Sequence, residues 1–328
     1  MVRYIIKRVL YMIPTLFGLS LIAFMIIQLP PGDYVTSMIA SMQDSGANVD
    51  PRQVERLREI YGFNDPIWVQ YFKWISGILL RGDFGYSFEW NRPVAELIWE
   101  RMGSTLAISI ASLLFVWAVA LPIGIYSAVR RHTIGDYVFT LVGFIGLAVP
   151  NFILALTLMY FSYRYFGQSV GGLFSPEYVD APWSWGKFVD LLGHLWIPII
   201  VIGTSGTAAL IRVLRANLSD ELHKPYVITA KAKGLPGYKV VLKYPVRIAL
   251  NPFVSAIGWI LPELISGVTI TAIVLNLPTA GPLLLRSLIS QDMYLAGSFI
   301  LLMGVLTLIG MLVSDLLLAL LDPRIRFT

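Results

Sequence analysis

The stretch RVLRANLSDELHKPYVITAKAKGLPGYKVVLKYPVRIALNP, Arg212 to Pro252, is a polar block between two long apolar segments, and the rest of the chain is organised around it. Eight Lys or Arg (Arg212, Arg215, Lys224, Lys231, Lys233, Lys239, Lys243, Arg247) stand against two acids, Asp220 and Glu221. Its centre has the form of a short helix, Tyr226 to Lys233, stopped by Gly234, because glycine tolerates the left-handed conformation that closes a helix C-terminus. Pro236 then suits the first turn of a second short helix, where its missing N–H costs nothing. Such a helix–Gly–helix knuckle is a shape for docking into a groove on a partner. Charge alone would be met equally well by an ordinary basic loop that orients a chain in a membrane.

The composition supplies the membrane. Of 328 residues, 56% are hydrophobic and 14% charged, where a soluble domain carries roughly 25% charged residues. The net charge of +5 therefore serves orientation rather than nucleic acid. With no Cys, disulfides, thiolate metal sites and Cys nucleophiles are excluded. Three His (His132, His194, His223) stand far apart without ligand-like spacing, so no metal site is expected. Neither G-x-x-x-x-G-K-[ST] nor H-E-x-x-H occurs, so the chain does not hydrolyse nucleotide alone. Energy must come from a partner or an ion gradient.

Six stretches have the length of about 20 apolar residues that a bilayer requires: approximately Leu10–Leu29, Thr105–Val129, Tyr137–Phe161, Leu195–Leu214, Pro252–Leu275 and Leu295–Leu321. The first follows MVRYIIKR and lacks a small-x-small cleavage site, so it reads as an uncleaved anchor. With both termini inside, the inner segments carry +11 and the outer ones −4, and the intramembrane Glu263 and Asp315 complete the total of +5. That asymmetry sets the orientation. The first outer segment, Pro30 to Gly103, is too long for a simple connector. Asp50 and Pro51 open a helix there with Val54, Leu57 and Tyr61 on one face. IWVQYFKWISGILL is an amphipathic run with aromatics suited to the water–lipid boundary. Pro93 starts a third outer helix. Trp183 and Trp185 in the second outer segment are expected at the same boundary.

Within the spans, GTSG (Gly203–Gly206) has the form of a serine-nucleophile site, but that chemistry needs a His at the same depth. None of the three His is placed mid-span, so close helix packing through small residues is the expectation. Glu263, beside Pro262, is costly in the membrane and marks either a polar pathway or a structural partner. Trp259, Glu263 and Ser266 share roughly one helical face and form the candidate substrate pathway. Pro150 predicts a kink in the third span.

TAKAKG, a further helix and a Pro near the next membrane entry resemble the EAA loop of binding-protein-dependent ABC importers. The form Y-x-x-T-A-x-A-K-G-L resembles the oligopeptide/dipeptide permease branch. The Glu that gives the loop its name is replaced here by Ile228, six residues before Gly234. RYIIKRVLYMIPTLFGLSLIAFMIIQLPPGD, then L-x-x-x-Y-G-F-N-D-P-I-W-V-Q-Y-F-x-W with G-D-F-G-Y-S-F, and finally SDLLLALLDPRIRF resemble the same family along nearly the whole length. The resemblance implies an all-α membrane protein with six transmembrane helices in a type I ABC importer permease fold. The N-terminal tail and span 1 would occupy residues 1–29, a small helical extracytoplasmic subdomain 30–103, and the permease core 104–328, with the coupling loop at about 215–250. In that loop Tyr226, Thr229, Ala230, Lys231, Ala232, Lys233, Gly234 and Leu235 would meet an ATPase. Implied partners are a second homologous permease, two ATPases that bind ATP and Mg, an extracytoplasmic binding protein and membrane lipid, in a prokaryotic plasma membrane. No catalytic residue, metal or cofactor is implied in this chain. Relatives in this family carry peptides, oligosaccharides, nickel or opines; the lack of His and Cys near the spans disfavours nickel, and aromatic outer segments suit sugars as well as peptides. An ion-coupled transporter using Glu263 would lack the paired broken helices of an inverted repeat and would leave TAKAKG unexplained.

Overall fold

The computed structural model describes residues 2–28, 36, 39, 55, 65–168, 170–256 and 268–321. In chain order its helices are α1 (Val2–Gln28), α2 (Ile67–Arg81), α3 (Val94–Val129), α4 (Ile134–Ala148), α5 (Asn151–Phe166), α6 (Trp185–Glu221), α7 (Pro225–Ala232), α8 (Gly237–Lys243), α9 (Pro245–Ala249), α10 (Thr269–Val274), α11 (Ala280–Ile289) and α12 (Met293–Leu321). Strands β1 (Tyr86–Ser87) and β2 (Arg92–Pro93) pair antiparallel between α2 and α3. Four described helices are long and apolar enough to cross a membrane, Ile5–Ile26, Val94–Val129, Trp185–Glu221 and Met293–Leu320, and the α4–α5 pair makes a fifth if it counts as one span. The expected span Pro252–Leu275 includes residues 257–267, which lie outside the described residues, as do the expected helix after Asp50 and the tail from Asp322.

Two expectations are corrected. The helix starting at Pro93 and the second span are one 36-residue helix, α3. Nothing in RPVAELIWERMGST stops a helix, and Gly103 inside it costs only about 1 kcal/mol relative to Ala. The kink at Pro150 is instead a full break, with α4 and α5 meeting at 101°. Val149 (φ −84°, ψ 121°) and Pro150 (φ −58°, ψ 136°) are both extended. Proline disfavours the helical conformation in the residue before it, so two successive residues leave the helix and the chain turns sharply.

The chain divides into two compact units, Met1–Gly103 with Thr279–Leu308, and Ser104–Pro278 with Ile309–Thr328. In the first, α2 packs on α1 and α12 through Phe24, Tyr71, Trp74, Met293 and Leu301. The Tyr71 hydroxyl and Ser20 Oγ are hydrogen-bonded at 2.8 Å, and Gln28 Nε2 donates to Gln70 Oε1 at 3.2 Å. The β1–β2 hairpin is tied to the start of α12 by the buried Asp292, which accepts from Ser87 Oγ (2.5 Å) and from the N–H groups of Glu89 (3.3 Å) and Leu295 (3.2 Å). Burial pushes the Asp292 carboxyl up, against these donors. Arg286 of α11 forks onto Glu89 (3.1 and 2.9 Å) and lies over the Trp90 ring.

In the second unit α6 is the axis. Its Ile197, Val201 and Ile202 join Ala155 of α5 and Ala272 of α10 in one cluster. Nearer its end, Ile211, Leu214 and Leu218 join Ala120 of α3, Val246 and Ala249 of α9, and Phe253. GTSG sits between these clusters and is a packing seam. A Cβ on Gly203 would stand 2.6 Å from the Phe115 ring, and one on Gly146 of α4 would stand 2.7 Å from Thr204. His194 lies on the same helix eleven residues before Ser205, about 17 Å away at the helical rise, with its Nδ1 against the Asp190 carbonyl at 2.8 Å. A serine nucleophile therefore has no base from His194. Gly203→Leu should force α3 from α6 and cost on the order of 1–3 kcal/mol of overpacking, whereas Ser205→Ala should leave the unfolding midpoint unchanged. Thermal unfolding of the detergent-purified variants checks both, and an unchanged midpoint for Gly203→Leu would dispose of the seam.

Candidate functional site

The site is assembled from the end of α6 onward. This helix does not stop at the expected span boundary near Leu214 but continues through Arg215 to Glu221. The Arg215 guanidinium holds both oxygens of Asp136 on α4, Nε to Oδ1 at 2.8 Å and Nη2 to Oδ2 at 2.7 Å. Asp136 is fully buried and also accepts the His132 N–H at 3.0 Å. Thr133 caps α4 by accepting from the Asp136 N–H, and Arg131 Nη1 donates to Ser219 Oγ at 3.3 Å. The turn between α3 and α4 is thereby clamped to the last turns of α6. Asp136 is not among the residues that the sequence singles out as candidates. The signal that marks it is Thr-x-x-Asp opening an apolar run, a box in which cap and acid fix the helix start.

From that clamp the chain enters the knuckle. Pro225 occupies the first turn of α7, one residue earlier than the expected start at Tyr226. Gly234 takes φ +76°, the left-handed conformation expected of it, and its N–H donates to the Lys231 carbonyl at 3.0 Å. After Pro236, α8 folds back so that Val227, Ala230 and Val240 form a small buried core with Tyr244 alongside. The knuckle is thus packed on itself before any partner arrives.

This alters the role expected of one residue. Ala230 was among the residues expected to meet an ATPase, yet it is 5% exposed inside the knuckle's own core, while Ala232 is exposed. Residues two apart on a helix point about 200° apart, so both could not face one groove. Tyr226, Ile228, Thr229, Lys231, Ala232, Lys233 and Leu235 all face outward. Tyr226 donates its hydroxyl to Glu221, and Thr229 Oγ donates to the Pro225 carbonyl at 2.9 Å. Ile228 is 60% exposed and Tyr238 65%, which leaves apolar side chains in a basic setting of Lys231, Lys233 and Lys239. Large apolar groups with a charged rim are the surface of an interaction site. On its far side the knuckle is anchored by α9, through Val246 and Ala249 against α6 and α3.

Trp259, Glu263 and Ser266 lie outside the described residues. Among the described residues no group of three His, Cys, Asp or Glu is placed to hold a metal ion.

A multi-span helical chain with a self-packed basic knuckle, clamped to its spans at both ends, has the form of a membrane transport permease. The chain belongs to the family described as binding-protein-dependent transport system inner membrane component, which it matches over residues 120–327. Residues 1–109 match the N-terminal component of the same kind of protein. Among similar proteins, the oligopeptide transport system permease protein AppB of Bacillus subtilis is 34% identical, with the whole of both chains covered. A putative peptide permease protein of Brucella ovis is 32% identical over the whole of both chains. The dipeptide transport system permease protein DppB of Escherichia coli is 29% identical over 99% of each. As a permease the chain is a transport subunit, not an enzyme.

Proposed function

We propose that this chain is one permease subunit of an ATP-driven importer of oligopeptides or dipeptides. The observation that carries this is the end-to-end similarity to peptide and dipeptide permeases, joined to a knuckle whose exposed face suits a partner. That similarity favours peptides over the oligosaccharide alternative. A second permease completes the pathway, two ATPases hold ATP and Mg and receive the knuckle, and a binding protein delivers substrate from outside. The residues offered to the ATPase are Tyr226, Ile228, Thr229, Lys231, Ala232, Lys233 and Leu235, with Ala230 and Gly234 shaping the knuckle behind them. Residues 30–103 form an outer subdomain and 104–328 the permease core. In the assembled transporter, short peptides should stimulate ATP hydrolysis where maltooligosaccharides do not; the reverse pattern would overturn the substrate assignment.

Both termini lie inside in this reading. The chain has no Cys, so an introduced thiol is the sole one. In intact cells Asp44→Cys should react with an impermeant maleimide and Lys239→Cys should be protected; the opposite labelling would reverse the topology. Glu263 lines the pathway, supported by the cost of a carboxylate at that depth. Glu263→Gln should then alter uptake or its pH dependence with assembly intact, and reduced assembly with normal uptake per complex would make it structural.

A further inference from the structure

Lys73, Gly77 and Arg81 recur every fourth residue along α2 and share one face. Trp68, Phe72 and Leu79 lie on the nearly opposite face and are 65%, 60% and 75% exposed. Between the two faces Tyr71 and Trp74 hold the helix on α1 and α12, both of span length. A stripe of large exposed apolar side chains beside two spans belongs at the bilayer boundary. The Lys73–Gly77–Arg81 face is thereby turned toward water.

On that face is a cavity of about 690 Å³, bounded by α2, the hairpin and the start of α12, a size within the range of small-ligand sites. Trp74, Tyr86, Phe88 and Tyr294 give it an aromatic wall, and Lys73, Arg81 and Asp83 supply its charges. Lys73 is engaged by Asp65 at 2.5 Å. Among the described residues Arg81 has no hydrogen-bond or ion-pair partner. Gly77 lies beneath the Arg81 guanidinium; a Cβ there would stand 3.1 Å from the Asp83 carbonyl oxygen and 3.7 Å from Arg81 Nη2. Asp83 accepts the Gly85 N–H through Oδ1 at 2.9 Å, which leaves Oδ2 for another donor.

We propose that this cavity, at the start of α12, is a peptide-binding site in which the Arg81 guanidinium receives the C-terminal carboxylate of a short peptide and the aromatic wall receives its side chains. An unpaired guanidinium matches a carboxylate bidentately, and Asp83 is the counterpart for the peptide ammonium. A phospholipid headgroup shares the anionic chemistry but would approach from the stripe side, where no cation recurs. The proposal rests on the importer reading, since it takes the peptide and the outward orientation from there.

The test uses the assembled transporter in nanodiscs, without binding protein or nucleotide, and radiolabelled Ala-Phe-Ala in equilibrium dialysis. Saturable binding is expected, weakened at least tenfold by Arg81→Glu and by C-terminal amidation of the peptide, with Arg81→Lys retaining part of the affinity. Arg92→Glu, at an exposed pair with Glu96 and Glu100, should leave binding unchanged. Absence of saturable binding, or binding indifferent to both Arg81→Glu and amidation, would overturn the site. Loss of binding-protein capture in Arg81→Glu without any tripeptide binding would make the cavity a docking pocket and equally reject the proposal. In each of these failures peptide-stimulated ATP hydrolysis by the unsubstituted transporter with binding protein present would persist, so the importer reading would stand.

Discussion

Ala232→Trp is expected to abolish ATPase capture and uptake while the chain still inserts and pairs with its partner permease. Ala232 is exposed at the last turn of α7, between Lys231 and Lys233, so a large side chain there meets nothing within its own fold. Any loss must arise where another protein approaches. Ala230→Glu should have the same outcome by a different route. It places a carboxylate among Val227 and Val240, and an unpaired charge without hydrogen bonds in such a core costs several kcal/mol. Gly234 separates two effects of a third kind. Nothing lies within 4 Å of a Cβ built on it, so Gly234→Ala carries only the left-handed strain, on the order of 1 kcal/mol, and should reduce capture modestly. Gly234→Asp adds bulk and charge to that strain, next to the exposed Lys233 and Leu235, and should be severe. Lys231→Gln should be mild, since rim charges steer an encounter more than they hold it. The measurement is co-purification of ATPase with tagged permease, alongside substrate-stimulated hydrolysis. Full capture by both Ala232→Trp and Ala230→Glu would reduce the block to a basic loop.

What sequence made legible was local. The knuckle could be read because its geometry depends on Gly234 and Pro236 acting over a few bonds; Gly234 has the left-handed conformation expected of it, while Pro236 stands one residue before α8, with ψ 137°, and not in its first turn. Span-length apolar runs were likewise visible, since hydrocarbon demands helices with internally satisfied backbones. GTSG was assigned to packing because its small residues had no His to serve them, and Phe115 stands where a Cβ on Gly203 would be, as Thr204 does for Gly146 of α4. The misses are questions of direction or distance. Proline announced a departure from the helix at residue 150 but not its size, which depends on Val149 also being extended. Ala230 was placed on the outside because its inward neighbour, Val240, follows a turn whose fold-back no periodicity reports. Asp136 and Arg215 are 79 positions apart, and nothing near either residue names the other.

That pair carries the last prediction. Asp136→Ala should cost about 3 kcal/mol of stability and uncouple hydrolysis from uptake, because breaking a buried pair strands the remaining charge. The lower end of the usual 3–5 kcal/mol range applies, since the Arg215 side chain is 28% exposed and reaches water where Asp136 does not. Arg215→Met should be worse than its exposure suggests, for it leaves a fully enclosed carboxylate without its cation, held by the His132 N–H and its neighbours in the α3–α4 turn. The double variant Asp136→Leu/Arg215→Met removes both charges, and replacing a buried pair with apolar groups is often neutral in stability. Recovery of the thermal midpoint in the double variant, with a non-additive cycle, would confirm that the two residues act as one unit. Transport should not recover with it. Arg215 stands six residues before the end of α6, where the chain turns into α7, so the fork fixes the direction in which the knuckle leaves the spans. Two flexible apolar side chains fill the same space without fixing that direction, and motion at the knuckle would then reach α4 attenuated. Uptake per ATP hydrolysed should therefore stay low in the double variant although the protein is stable. If coupling returns together with stability, the pair is only a structural tie, and the path from the docking helix to the broken α4–α5 pair must run through α9 and its contacts with α6 and α3.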